Sequence, residues 1–292
     1  MHQKKYRMGN NTSNKHKQII IKKASGDEEN FSSAKLEQSL QNAGATNETI
    51  SRIVSDIENW IYQGVTSKKI YTRAFSMLRR ERMSDAVRYK LKQAILELGP
   101  TGYPFETLIG QMFEQQGFST EVGVVVNGVC ITHEMDVIAT NGSSQHLVEC
   151  KYHMDQGKQV SVQVPLYVRS RVNDIIQKRK ESPEYQGLSF TGWVITNTRF
   201  SSDSQHYGKC SGLNLLAWDY PLGNGLKEIL EKYKLYPITI LANLTKKEKQ
   251  YLLDQQIVSC PQLLKNPDVL NDFGFSQNRN RKVIKELEDI CT

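Results

Sequence analysis

The sequence predicts an α/β unit, a mixed sheet flanked by helices, with a mostly helical domain before it and a small helical domain after it. Apolar residues recur at helical spacing from Leu36 to Ile95 and again from Leu244 to Cys291. Between these stretches lie β-branched runs set around Asn-Gly pairs, interrupted by an amphipathic helix.

The first domain is expected over residues 18–98. It opens with a short apolar run at Ile19 to Ile21 and a polar turn near Ser25-Gly26. Helices follow at Leu36-Leu40, at Ile50-Ile53-Val54-Ile57-Ile61, at Ile70-Phe75-Leu78 and at Ala86-Leu91-Ile95. Gly99-Pro100 and Pro104 then break the pattern and mark a boundary.

The α/β domain is expected over residues 104–237. Pro104 suits the first turn of a helix that carries Phe105, Leu108, Ile109, Met112 and Phe113 on one side and ends at Gly117, with Glu106 beside the apolar stripe. Strands are expected at Thr120 to Val126, at Cys130 to Thr140 and at Gln145 to Tyr152. A helix is expected at Val164 to Ser182, and buried strands at Gly192 to Thr196 and Leu213 to Trp218. Residues 243–292 read as helical, with Thr245 before a charged first turn and Arg279, Arg281, Lys282 and Lys285 near the end. That segment serves either as a contact to a phosphate backbone or as a packing appendage, and the sequence favours the appendage. No internal repeat is present.

Hydrophobic content of 38% and charged content of 24% suit a soluble globular protein. No run reaches the roughly 18 apolar residues of a membrane span, and the N-terminus lacks the apolar stretch of a signal peptide, so no membrane partner and a cytoplasmic location are expected. Cys130, Cys150, Cys210, Cys260 and Cys291 are scattered and odd in number, which argues for reduced thiols rather than a disulfide framework. The net charge of +7 is matched by the seven Lys and Arg residues, with no acid, among residues 1–26. Residues 27–292 therefore balance to zero. The basic arm over residues 1–17 is expected to be disordered, and any affinity for nucleic acid has to come from local clusters.

The chemistry is concentrated at Asp136 and Glu149-Cys150-Lys151. With Asn141 to Ser144 as the turn, Thr140 pairs with Gln145, and counting back sets Asp136 opposite Glu149 on one face. Like charges so placed repel, which invites a cation between them. Period two puts Lys151 on the same face as Glu149 and turns Cys150 away. Two carboxylates and a lysine are what metal-dependent phosphodiester hydrolysis requires, the acids holding a hard cation such as Mg²⁺ and the lysine steadying the attacking oxygen or the charge at phosphorus. Alone, the triplet favours the plainer reading of ordinary strand residues on a solvated face, with Lys151 neutralising Glu149 or Asp136. Cys130, His133, Cys150 and His153 have the spacing of a zinc site, but on regular strands each Cys and His pair points to opposite faces. Walker-type phosphate loops and acyl-transfer signatures are absent.

The stretch from Pro104 to Pro221 resembles the Mrr-like branch of the PD-(D/E)XK restriction endonuclease superfamily. The resemblance is carried, in order, by Phe105-Glu106, Gly117-Phe118, Asp136, Glu149-Cys150-Lys151 and Gln163-Val-Pro-Leu-Tyr167, and later by Val194 to Ser201, Tyr207 and Leu216 to Pro221. It implies a restriction endonuclease-like fold in which Asp136 and Glu149 ligate Mg²⁺ (or Mn²⁺), Glu106 joins directly or through water, and Lys151 assists the nucleophile. Gln163 and Tyr167, four apart on one helix face, would approach the scissile backbone.

The stretch from Gln18 to Ile95 resembles an ATP-cone, a small nucleotide-binding regulatory domain. Ile20-Ile-Lys-Lys23, Gly26, Glu29-Asn-Phe31, Lys35-Leu36, Ala43-Gly44, Gly64 to Ser67, Ile70 and Arg88-Tyr89 carry the resemblance. It implies ATP or dATP as a regulatory ligand, with Lys22, Lys23, Glu29, Lys35 and Ser67 as contacts. The chain departs from that family at Lys22 to Gly26, where one extra residue shifts the phosphate register.

Taken together, the sequence leads us to expect a nucleotide-regulated, Mg²⁺-dependent DNA endonuclease acting as a homo-oligomer, with a defence or restriction role inferred from the family. Two alternatives stand beside it: a structure-selective nuclease such as a Holliday-junction resolvase, and a nucleotide-sensing DNA-binding regulator that does not cut.

Overall fold

The computed structural model describes residues 19–23, 27–81, 83–155 and 157–291. The basic arm over residues 1–17 and the turn at Ser25-Gly26 lie outside the described residues. Two compact units are present, Met1–Asp85 and Ala86–Thr292.

The first unit begins with a short antiparallel pair, β1 (Ile20–Lys22) and β2 (Glu28–Asn30). Helix α1 (Ser33–Asn42) starts where Ser32 accepts the Lys35 N–H, and α2 (Asn47–Trp60) where Thr46 accepts that of Thr49. Helix α3 (Ser67–Glu81) completes the unit. Leu40, Ile53, Ile57, Ala74 and Leu78 are fully buried, as the helical spacing requires. The Lys22 N–H donates to Val65 O at 2.9 Å, which ties the end of β1 to the turn before α3.

Helix α4 (Met83–Leu96) follows, and the boundary between the units falls inside it, after Asp85, whereas the sequence places the limit at about Leu98. The C-terminal part of α4 is built into the second unit. Thr239 donates to Ala94 O at 2.6 Å, Lys90 Nζ to Ile240 O at 2.7 Å, and the Tyr152 hydroxyl to Leu96 O at 2.8 Å. The break at Gly99 to Pro104 is therefore a turn within the unit.

Beyond it lie α5 (Tyr103–Glu114), β3 (Ser119–Asn127), β4 (Thr132–Thr140), β5 (Ser144–Lys151) and β6 (Gln159–Val160). They are followed by α6 (Gln163–Lys180), β7 (Ser189–Thr196), β8 (Arg199–Phe200), α7 (Ser202–Ser211) and β9 (Asn214–Leu216). Five strands form one mixed sheet in the order β3-β4-β5-β7-β9, antiparallel from β3 to β5 and parallel from β5 to β9. β6 and β8 make a separate parallel ribbon that the sequence does not announce, because two-residue strands show no period.

The hairpin register agrees with the turn count. Thr140 pairs with Gln145, and the ladder runs to Val137 opposite Val148. Asn141 fixes the turn, its side-chain oxygen accepting the N–H groups of Ser143 at 3.0 Å and Ser144 at 2.8 Å. Helix α5 packs on the face that carries His146, through Phe113. Helix α6 lies against the other face, where Val168, Val172 and Ile175 join Leu147, Val194 and Leu215 in one core.

The chain closes with α8 (Leu226–Lys232), α9 (Lys246–Asp254), α10 (Cys260–Lys265) and α11 (Gln277–Cys291). Thr245 and Glu248 form a reciprocal capping box at α9. The buried Glu286 accepts the Ala242 and Asn243 N–H groups at 2.9 and 3.0 Å. Arg279 serves packing, with its guanidinium 2.7 Å from Glu248 and over the Phe275 ring. No helix among the described residues is long and apolar enough to cross a membrane.

Candidate active site

Glu149 is the centre of the site. It points from β5 toward α6 and is 3% exposed, a position that a carboxylate occupies only when it is compensated. Lys151 Nζ lies 2.6 Å from its Oε1 and Arg171 Nη1 lies 2.7 Å from its Oε2. The Tyr167 hydroxyl donates to Oε1 at 3.0 Å. Both oxygens are thus engaged, Oε1 by the lysine two residues along the same strand face and by Tyr167 of α6, and Oε2 by Arg171 of α6.

Asp136 sits one step past the last ladder pair, where β4 and β5 begin to part. Its Oδ2 accepts the Cys150 N–H at 2.6 Å. Burial and the Glu149 charge push its carboxyl up to about 6, against the lowering effects of the Cys150 amide, Lys151 and Arg171. Glu106, in the first turn of α5, belongs to the same field. Burial, then the charge of Asp136, raises it to about 7, with Lys151 pulling the other way and Glu134 and Glu149 adding to the rise. A Cβ on Gly102 would stand 2.8 Å from Glu106 Oε1, so a glycine here leaves room for that carboxylate. Burial would lower Lys151, but the charge of Glu149 and its hydrogen bond outweigh it and hold the ammonium above its ordinary value.

Asp136, Glu149, Lys151, Tyr167 and Glu106 are therefore gathered as neighbours; Lys151 and Tyr167 are hydrogen-bonded to Glu149, Asp136 is held by the Cys150 N–H, and Glu106 joins through the charges it feels. Gln163 differs. It is exposed at the start of α6, and among the described residues none of the hydrogen bonds to Glu149 or Asp136 comes from it. Arg171 is the residue that the sequence reading missed. It extends the spacing of four from Gln163 through Tyr167 by one more turn, a signal that was available.

No three carboxylate, imidazole or thiol groups among the described residues stand close enough to form a ready metal cage. The donors suit a hard dication nonetheless. They are all oxygens, and the two carboxyls without a cationic hydrogen-bond partner are held unusually protonated by burial, and then by the charge of Glu149 on Asp136 and of Asp136 on Glu106. The zinc-like residues do not converge. His133 pairs with Asp174 of α6 at 2.8 Å, and Asp174 also accepts the Cys130 N–H at 2.9 Å.

In the first unit, Lys23 and Lys35 both lie 3.0 Å from Glu29. Lys22 lies 4.0 Å from Glu28. Ser67 opens α3, one residue after Thr66, which bridges to Lys22. Lys22, Lys23 and Lys35 are exposed in their side chains and available to solvent anions.

The fold and the site define a mixed α/β protein that carries a buried carboxylate-lysine-arginine cluster on its central sheet. An uncharacterized protein of Archaeoglobus fulgidus is 30% identical to the chain over 183 residues, which is 62% of this chain and 99% of that protein. The chain belongs to the family of that archaeal protein. Residues 236–291 match the family model described as AF1548-like, C-terminal. A solved structure titled as the crystal structure of protein of unknown function AF1548 aligns with a TM-score of 0.53 at 29% identity, covering 65% of this chain and 98% of that one. The MspJI restriction endonuclease in complex with a 27-mer oligonucleotide aligns with a TM-score of only 0.36 at 15% identity, over 72% of this chain and 44% of that one.

Proposed function

We propose that the second unit is a metal-dependent DNA endonuclease and that the first regulates it by binding ATP or dATP. The observation that carries this reading is the buried Glu149, held by Lys151 beside two carboxyls, Asp136 and Glu106, that titrate near neutrality. Sites built for structure alone seldom crowd acids whose ionisation costs so much.

Asp136 and Glu149 would hold Mg²⁺ or Mn²⁺, with Glu106 completing the donor set directly or through water. Such an ion supplies charge neutralisation at phosphorus and lowers the pKa of water. Glu149 would take up this role as Arg171 yields its hold on Oε2. Lys151 stays protonated well above neutral pH, so it presents a positive charge to the phosphoryl oxygens as negative charge develops in the transition state. Glu106, near half ionised around neutrality, can take the proton of the attacking water. Tyr167 positions Glu149 and borders the path of the backbone. Gln163, exposed on the same helix, contacts the nucleic acid rather than the acids.

Lys22, Lys23 and Lys35 would exchange their carboxylate partners for the phosphates of ATP or dATP, with Glu29 and Ser67 completing the contacts. A nucleotide changes cleavage only if it binds two states unequally, and a change of oligomer is the simplest such pair, since cutting both strands takes two sites. A place in cellular defence or restriction is proposed on the family resemblance alone.

Purified protein incubated with plasmid, Mg²⁺ and a titration of ATP or dATP tests it. Nicked or linear product whose yield changes with nucleotide is expected. Intact plasmid with Mg²⁺ and Mn²⁺ under every nucleotide condition would overturn the nuclease and leave a sensing regulator. Preference for four-way junctions over linear duplex would make it a junction resolvase instead.

A further inference from the structure

The parallel strands β5, β7 and β9 end along one edge of the sheet, at Lys151, Thr196 and Leu216. Loops leaving the carboxyl ends of parallel strands are where open α/β sheets bind ligands. Here they gather cations outside the site described above. Trp218, just beyond β9 and 8% exposed, donates its main-chain N–H to Thr198 O at 3.1 Å and accepts the main-chain N–H of Lys227 at its own carbonyl at 3.2 Å. Arg199, next to Thr198, and Lys227 thus spring from backbone pinned to one tryptophan. Lys92 of α4 stands over the same ring, its Nζ 5.7 Å from the centroid.

The local charge balance is positive. Asp219 faces Lys92, and Glu228 lies 3.1 Å from Lys227, leaving three cations against two carboxylates. Burial lowers the pKa of Lys92, and Arg199 and Lys227 lower it further against the pull of Asp219. A group of like charges held together by the fold gains most from an anion that spans it. Trp218 is covered, so the site offers charge and no stacking platform.

This locus also connects to the cluster at Lys151. Asn197 accepts the His153 N–H at 2.9 Å and donates to His153 O at 2.7 Å, clamping the loop after β5 to the loop after β7. Adjacent strands lie about 4.8 Å apart, so β5 and β9 are separated by about 10 Å at this edge. One strand of duplex DNA carries a charge per about 3.4 Å of axis and spans that distance in about three nucleotides.

We propose that Lys92, Arg199 and Lys227, gathered around Trp218, form a second phosphate-binding locus that holds the polynucleotide backbone about three nucleotides from the phosphate presented to Lys151. The inference rests on the nuclease reading and adds the direction in which the nucleic acid crosses the sheet edge.

The test is fluorescence anisotropy of a labelled duplex with the full chain in EDTA across a range of NaCl, so that binding is read without cleavage. The neutral variant Lys92→Gln/Arg199→Gln/Lys227→Gln is compared with wild type and with Lys92→Arg/Arg199→Lys/Lys227→Arg. Each lost phosphate contact reduces the slope of log affinity against log salt by about 0.9, so the neutral variant should be shallower by about 2 to 3 and the charge-keeping variant near wild type. Arg199→Gln alone, at an exposed position, should lose about 1 and serves if the triple variant fails to fold by thermal melting. A folded neutral variant, or Arg199→Gln, with the wild-type slope overturns this locus alone. Wild type that binds no duplex at any salt overturns it together with the nuclease. If inorganic phosphate stabilises wild type and not the neutral variant while their duplex slopes agree, the locus serves free anions and the polynucleotide assignment is wrong.

Discussion

Glu149 shows how much of the site can be read from residue identities and where that reading stops. Its position opposite Asp136 follows from one turn, because Asn141 fixes the register and period two does the rest. Its partner Arg171 arrives from a helix 22 residues away, and only the packing of α6 on the sheet decides which α6 side chains reach the strand. Replacing Arg171 by Met should leave a buried carboxylate half compensated and cost about 2 kcal/mol in EDTA, recovered in part on adding Mg²⁺, as measured by urea unfolding. Equal loss with and without the ion would show that Glu149 does not face a metal site. A second expectation concerns pH. Asp136 and Glu106 have folded values of about 6 and about 7, above the ordinary 3.8 and 4.5, so folding favours their protonated forms. Their contribution to stability is full below about pH 4 and is lost as pH rises through about 6 and then 7. Metal-free thermal melts should therefore fall over that window in wild type and flatten in Asp136→Asn/Glu106→Gln. An unchanged pH profile in the double variant would remove the coupled carboxyls from the account.

At the scale of elements, the central sheet was legible because its strands carry period two and end in Asn, Gly and Ser turns. The allegiance of α4 was not. An amphipathic helix states that one face is buried, not which neighbour buries it, and the bonds from Lys90 and Ala94 to residues 239–240 are contacts between parts of the chain far apart in sequence. The join between α6 and the sheet is close. A Cβ on Gly192 of β7 would meet Leu213 Cδ1 at 2.7 Å and Val172 Cγ1 at 3.0 Å. Gly192→Ala, although alanine suits a strand better than glycine, should therefore cost about 1 to 3 kcal/mol through overpacking, read by urea denaturation. A neutral or stabilising result would mean that α6 can move away from β7, and that Tyr167 and Arg171 are held less firmly than the distances to Glu149 imply.

At the scale of the whole molecule, two units carry two kinds of charge cluster. The first pairs the exposed Lys22, Lys23 and Lys35 with Glu28 and Glu29, and the second buries Glu149 on the sheet with Asp136 and Glu106 half-buried beside it. Exposed pairs exchange partners at little cost. Lys23→Ala/Lys35→Ala should weaken binding of ATP or dATP by about tenfold or more in calorimetric titration. Undiminished binding would move the nucleotide elsewhere. The central claim concerns the second unit, and plasmid cleavage in Mg²⁺ by wild type and Lys151→Ala tests it most directly. The expected result is a loss of about a hundredfold or more in cutting by the variant, with duplex binding retained, because Lys151 acts on charge that develops in the transition state. Equal cutting by the two proteins would contradict the account.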